Sequence, residues 1–332
     1  MAKQKMVEQQ AQVEEQVEYK KPNQKMIGQS IVFVDPISLQ RNLAGKIISI
    51  FTRAELELIG MKVMIPKRSF IRKFCEVKKN RMSRRYIRYR YLHKNVLVLT
   101  FQGENAIEKT KMITGKMRKT PGWNRSTIRG IFFGGLSSFF PRIYENVVQI
   151  PKDTEEATKL IKLAWQEQVA NGAFLRPPPI EGEECTLVTL KPEVTERKLV
   201  GKIIDDLRRP GIKLVGAKII VPTKEQIEIL YRHLEGKRFY KTLFEHMMGN
   251  GEEEKKIILL VYQGKNGAIE RIRDLIGHKD PEKADAETVR GAFGKSLLKN
   301  MAHATKDEEE LIKEIAIWDR PAGLLAPIVE AY

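Results

Sequence analysis

The 332-residue sequence predicts an α+β fold made of two tandem units, each a strand-helix-strand-strand-helix-strand arrangement on an antiparallel sheet. Two observations carry this expectation. First, the chain repeats itself: NLAGKIISIF at 42–51 matches KLVGKIIDDL at 198–207, and ELIGMKVMIP at 57–66 matches KLVGAKIIVP at 213–222, both at an offset of 156 residues. NVLVLTFQGENAIEKTKMITG from 95 then parallels KIILLVYQGKNGAIERIRDLIG from 256, and TIRGIFF from 127 parallels TVRGAFG from 288. The segments keep one order in both halves, as a duplicated domain would. Second, the apolar spacing changes between strand and helix periods in a single sequence of elements.

In the second half CTLVTL is a short β-rich run, and RKLVGKIIDDLRR places apolar residues at helical spacing. IKLVGAKIIV and KKIILLVYQ follow as strands, separated by the helical segments EQIEILYRHL and FYKTLFEHMM. This βαββαβ order is the ferredoxin-like arrangement. LRPPPIEGEE, 175–184, has three successive prolines and no helical pattern, so it marks a linker. The expected organisation is an N-terminal arm at 1–28, helical or disordered, a first domain at 29–174, the linker, a second domain at 185–320 and a tail at 321–332.

Hydrophobic residues make up 42% of the chain and charged residues 30%, a balance that supports folded cores. No run approaches the roughly 20 apolar residues of a membrane span, and MAKQKMVEQQAQVEEQ lacks a signal core. A soluble, intracellular and cytoplasmic protein is therefore expected, with Cys75 and Cys185 as reduced thiols. The net charge of +17 is unevenly divided. Residues 1–180 hold 33 Lys and Arg against 15 Asp and Glu, whereas 181–332 hold 26 against 27.

The second unit resembles the nucleoside diphosphate kinase family in a series of motifs. A strand ends in Lys191, Pro192 and Glu193, with Arg197 after it, where the family has Lys-Pro-Asp and an Arg. YRHLEGKRFY supplies Tyr231 and Phe239, with Leu243 one turn on, and the nucleotide loop offers Arg273, then HKDP with Lys279, then TVRG with Arg290. NMAHATKD brings Asn300, His303, Ala304 and Thr305 into the place of the family's Asn-x-x-His stretch. Arg290 stands 13 residues before His303, Glu314 stands 11 after it, and Trp318 follows.

The resemblance implies that His303 takes the γ-phosphate of a nucleoside triphosphate, is oriented by Glu314, and passes the phosphate to a nucleoside diphosphate in ping-pong fashion. An imidazole attacks at neutral pH only through a deprotonated nitrogen while the other is held. Phosphoryl transfer also needs positive charge around the equatorial oxygens. By resemblance Lys191, Arg273, Lys279 and Arg290 supply it, with Mg²⁺ arriving on the nucleotide phosphates. Tyr231, Leu243, Leu297, Asn300 and Thr305 are the other implied nucleotide contacts, and Phe239 would stack on the base. No protein-held metal is expected. Lys279, Thr305 and Lys306 stand where the family has Thr, Ser and Asp.

In the first unit the strand-end lysine is Asp35, the loop arginine is Lys111, and Arg129 is kept. Seven residues are added within FFGGLSSFFPRIYE, Asn146 is kept, Gln149 stands for the histidine, and Leu160 and Ile161 lie near the place of the orienting Glu. An amide cannot carry phosphate, so this unit is expected to be inactive. In place of its helical hairpin, residues 67–94 hold twelve Lys or Arg and one acid, Glu76, among Phe70, Phe74, Tyr86, Tyr89 and Tyr91. Charge runs are usually solvated faces. Here the confinement of the excess charge to one half points to RNA or another polyanion, gripped by Arg81, Arg84, Arg85, Arg88 and Arg90.

The expectation is thus a kinase domain beside a basic, inactive one, the two packed on each other in place of part of the closed oligomers that the family forms. A second reading stays open: a non-catalytic binding protein of a larger assembly, such as a ribonucleoprotein.

Overall fold

The computed structural model describes residues 27–79, 84–116, 124–132, 147–166, 180–249, 254–265 and 267–319. The N-terminal arm up to 26, Arg81, Asn146, the added residues beyond Phe132, most of the expected linker and the tail lie outside the described residues.

The first unit runs β1 (Ile27–Val34), α1 (Pro36–Gln40), α2 (Ala44–Arg53), β2 (Glu57–Met64), α3 (Arg68–Val77), α4 (Arg84–Tyr91), β3 (Val96–Glu104), α5 (Ala106–Thr114), α6 (Ile128–Phe132), β4 (Val148–Gln149) and α7 (Thr154–Gln166). The second repeats it: β5 (Glu184–Leu190), α8 (Pro192–Glu196), α9 (Val200–Asp206), β6 (Ile212–Ile220), α10 (Lys224–Tyr231), α11 (Tyr240–Met248), β7 (Ile257–Gly264), α12 (Ala268–Ile276), α13 (Val289–Phe293), β8 (Ala302–Ala304) and α14 (Glu308–Asp319). The α+β reading and the βαββαβ order therefore hold, with an αα hairpin between the second and third strands and an added last helix. The helix expected over RKLVGKIIDDLRR is shorter than its pattern, because Lys198 takes a left-handed φ of 55° and only Val200–Asp206 coils.

All eight strands join one sheet in the order β4-β1-β3-β2-β6-β7-β5-β8. Within each unit the pairings are antiparallel, and both carry a register shift at the same repeat position, Leu58/Gly60 and Leu214/Gly216. The units meet where Lys62 pairs with Lys218. These two residues are 156 apart, so the seam pairs one repeat position with itself, as a two-fold interface must. Each lysine escapes its partner's charge by reaching a carbonyl at the end of its own unit's last helix, Ala164 for Lys62 and Trp318 for Lys218.

Helices α2 and α9 cross over the seam through Gly45 and Gly201, again 156 apart. A Cβ on Gly201 would lie 2.5 Å from the Ser49 amide nitrogen and 2.6 Å from the Gly45 carbonyl oxygen. That contact lets one apolar core, with Val32, Ile47 and Leu99 from the first unit and Val188, Ile203 and Leu260 from the second, run beneath both units. On the other sheet face each unit keeps its own cluster, around Phe33, Phe70 and Phe74 in the first and Leu243, Met247 and Trp318 in the second. The two copies thus form an intramolecular pseudo-dimer. Among the described residues no helix is long and apolar enough to cross a membrane.

Candidate active site

His303 lies in β8, the edge strand of the second unit, opposite Thr189 of β5. Its Nε2 sits 2.6 Å from Glu314 Oε1, on the face of α14 turned toward the strand. The imidazole side chain is 36% exposed, whereas Glu314 is 4% exposed. A carboxylate can only accept, so Nε2 carries the proton and Nδ1 is left with its lone pair. Burial acts to lower the His303 pKa, but the charge and hydrogen bond of Glu314, helped by Glu310, outweigh it and raise the pKa above the ordinary value.

Nearby lies a cleft of about 790 Å³ lined by Arg273, Lys279, Arg290, Lys306 and His303, with Glu270, Asp274, Asp285 and Glu310 also on its walls. Arg290 donates to the carbonyls of Gly277 (2.8 Å) and Ala302 (2.7 Å), while its Nε is buried with no hydrogen-bond partner among the described residues. Burial, and then the charge of Arg273, lower its pKa to about 10. Lys191 is buried at the end of β5, donates to the Leu298 carbonyl at 2.9 Å, and has its pKa lowered to about 8 by burial, with Glu193 opposing and Arg290 adding to the effect. Lys191 and Arg290 carry charges that burial makes costly, and an anionic polyphosphate beside them would offset that cost. These cationic donors suit phosphate oxygens rather than a magnesium cage, so Mg²⁺ fits here as part of the nucleotide.

The first unit serves as an internal control. Gln149 pairs with Phe33 in the register that His303 has with Thr189, and Leu160, eleven residues on, is fully buried in the core where Glu314 stands. Arg129 binds the carbonyls of Gly115 (2.7 Å) and Val148 (3.3 Å), matching Arg290. Since these bonds persist where there is no histidine, this arginine also has a fold role, tying the loop at a positive-φ glycine to the edge strand.

The remaining expected contacts divide. Asn300 donates to the Lys279 carbonyl at 2.9 Å and so shapes the loop. Phe239 is 52% exposed and Leu297 60% exposed, outside the cleft lining, and Tyr231 is half-buried, its phenol pKa raised by burial and then by Glu314 and Glu193. Three assignments are corrected. Thr305 is fully buried, bonded to Thr186 Oγ1 (3.0 Å) and to the Leu187 amide (3.2 Å), so its hydroxyl fastens β8 to β5 and does not meet the nucleotide. Leu243 is 5% exposed within the core cluster of its unit. Arg90 is 4% exposed and holds Asp35 at 2.7 Å, so it anchors α4 inside the first unit and is not part of an outer basic face.

Two residues that sequence reasoning passed over now enter. Glu310 is four before Glu314, hence on the same helix face, a spacing that could have disclosed it. His246 lies 2.7 Å from Glu193 Oε2, while the Met301 amide donates to Glu193 Oε1 at 3.0 Å. Burial would raise the Glu193 pKa, but His246 and the backbone donors win and lower it. This link fixes α11 of the hairpin to the backbone two residues before His303.

The nucleoside diphosphate kinase family model matches residues 28–169 and 184–322. The nucleoside diphosphate kinase of Fervidobacterium nodosum is 35% identical over 142 residues, 43% of this chain and 92% of that protein. That of Methanocaldococcus jannaschii is 35% identical over 136 residues, 41% of this chain and 93% of that protein. The solved structure of the Encephalitozoon cuniculi enzyme is 30% identical, covers 42% of this chain and 92% of that one, and has a TM-score of 0.38. With both of its units matched, the chain belongs to the nucleoside diphosphate kinase family, as a tandem duplication within one polypeptide.

Proposed function

We propose that the second unit transfers the γ-phosphate of a nucleoside triphosphate to a nucleoside diphosphate through phosphorylated His303. The observation that carries this is the 2.6 Å bond of His303 Nε2 to Glu314 beside a cleft lined by Arg273, Lys279, Arg290 and Lys306. Nδ1 has no hydrogen-bond partner among the described residues and is the attacking atom. As it bonds to phosphorus, the bond from phosphorus to the nucleoside diphosphate breaks, and the positive charge that grows on the ring is stabilised by the buried Glu314 carboxylate; Mg²⁺ on the nucleotide phosphates would offset the charge of the leaving group. The cleft cations neutralise the equatorial oxygens, and the second nucleotide reverses the step. Lys191 supports the site through its charge and its hold on Leu298, Asn300 by fixing Lys279, and Phe239 and Tyr231 of the hairpin offer ring faces to the base.

The test is labelling with γ-labelled ATP and Mg²⁺. Acid-labile, alkali-stable label on the second unit, chased onto GDP, is the expected result, and no label in the wild type would sink the reading. The reaction needs neutral His303, and its pKa is raised, so labelling should fall on acidification from above pH 6.5. Glu314→Gln removes the carboxylate that raises the pKa, so it should move that limb to lower pH and slow transfer by about 10²-fold. An unmoved limb would mean that another group sets it.

The first unit is proposed to be inactive and to bind a polyanion. Arg84, Arg85 and Arg88 are exposed along α4, Arg68, Arg72 and Lys73 are exposed on α3, which packs beside it, and Tyr89 is 76% exposed among them. Single-stranded RNA suits that combination, because arginines bind phosphates while an exposed ring stacks on a base. Binding should weaken as salt rises, and changing Arg84, Arg85 and Arg88 to Gln should reduce the slope of log K against log salt by about 2. Binding that is insensitive to salt would rule the polyanion out.

A further inference from the structure

We propose that His303, Glu310 and Glu314 form a binding site for a transition-metal cation of the zinc class, and that its occupancy switches the histidine off. Binding is argued from geometry alone; the switch rests on the phosphotransfer reading above.

One ring nitrogen of His303 and one carboxylate oxygen each from Glu310 and Glu314 all lie within 4.8 Å of one another. Zinc holds imidazole nitrogen and carboxylate oxygen at about 2.0–2.2 Å, so closing the site around an ion takes side-chain shifts on the order of 1 Å and no backbone change. The two glutamates are one turn apart on α14 and the histidine comes from the strand beneath, so three ligands converge from two rigid elements.

A second, independent feature points to a cation. Glu314 is 4% exposed, its Oε1 is taken by His303, and its Oε2 is buried without a hydrogen-bond partner among the described residues. A desolvated carboxylate oxygen lacking a donor is costly, and a metal ion would satisfy it. Glu310 is held ready by the Lys306 amide, which donates to its Oε2 at 2.5 Å and leaves Oε1 available. The donor set of one nitrogen and two oxygens suits Zn²⁺, Co²⁺ or Ni²⁺. Mg²⁺ prefers an all-oxygen octahedron and sheds water reluctantly, so the ion that accompanies the nucleotide does not compete. Three protein ligands leave a fourth position facing the cleft.

The switch follows from the ring's electrons. Neutral imidazole has a single in-plane lone pair. When Nε2 donates it to a metal, the ring proton that Glu314 accepted from Nε2 moves to Nδ1, and Nδ1 can no longer attack phosphorus. No bond is oxidised or reduced, and removal of the metal restores the original tautomer. Glu314 changes partner from the ring to the ion in the same step.

Titration of the metal-free full-length chain with Co²⁺, whose visible bands report ligand geometry, tests the site. The expected result is a saturable one-to-one band in the wild type, weakened at least about 10-fold in Glu310→Gln and lost in His303→Gln. Zn²⁺ at matching occupancy should lower phosphohistidine labelling at least about 10-fold, reversibly by chelator, and Glu310→Gln should resist it relative to its own metal-free level. A Co²⁺ band unchanged by Glu310→Gln, or one lost on His278→Ala instead, would overturn the site. Zn²⁺ inhibition that Glu310→Gln does not relieve would overturn the switch. If the wild type takes no label even without Zn²⁺, the kinase reading fails, while the Co²⁺ titration still decides whether the site exists.

Discussion

His303→Gln should fold normally and lose phosphoenzyme formation, with transfer to a nucleoside diphosphate falling by at least about 10³-fold. The chain itself supplies the control for folding: Gln149 occupies the same register position of the first unit, 5% exposed and paired with the neighbouring strand. An amide nitrogen has no lone pair available for phosphorus, so the loss comes from chemistry and not from structure. The converse change, Gln149→His, made in the His303→Gln background, should give no label, because the residue eleven positions on is Leu160, buried in the core, where the second unit has its orienting carboxylate. Thermal unfolding beside the labelling assay separates the two explanations. Label surviving in His303→Gln would place the phosphate on another residue, and label gained by Gln149→His would show that the orienting Glu is dispensable.

Gly201→Ala should destabilise the chain by about 2 kcal/mol. Replacing glycine by alanine inside a helix normally gains about 1 kcal/mol. Here the new methyl would sit 2.5 Å from the Ser49 amide nitrogen and 2.6 Å from the Gly45 carbonyl oxygen, backbone atoms that cannot rotate away. Overpacking of this kind costs about 3 kcal/mol when helices must separate, so the clash outweighs the propensity. A fall in Tm on the order of 5 °C is expected. Gly28→Ala, where an added Cβ meets nothing within 4 Å, should leave Tm nearly unchanged. Equal Tm values for the two variants would mean that the helix crossing at the seam is looser than the structure places it.

The seam also explains why a first copy without the histidine stands beside the second. The apolar core beneath the sheet is drawn from both units, so neither α2 nor α9 is covered without the other. The first unit therefore completes the fold of the second.

Much of this was legible in the sequence because it depends on order and spacing alone. The offset of 156 residues fixes the duplication, the alternation of periods fixes the strands and helices, and the distances from Arg290 to His303 to Glu314 identify one histidine among five. Gln149 and Leu160 could be aligned with His303 and Glu314 in the same way, and the strand register agrees. What spacing cannot give is the direction in which a side chain points once two elements pack. Thr305 turns inward because β8 pairs with β5 and needs its hydroxyl there, Arg90 turns inward because Asp35 has to be neutralised at a buried strand end, and Leu243 is drawn into the core under its own helix. Glu310 joins the cleft, and His246 joins Glu193, only when a helix is laid against a strand distant in the chain. Sequence thus determined the fold, the family and the histidine with its partner, through local period and repeat. Tertiary packing decided which of the remaining polar groups face the cleft and which are spent in holding it together, because burying a polar group compels it to find a partner, and the nearest partner is set by the fold.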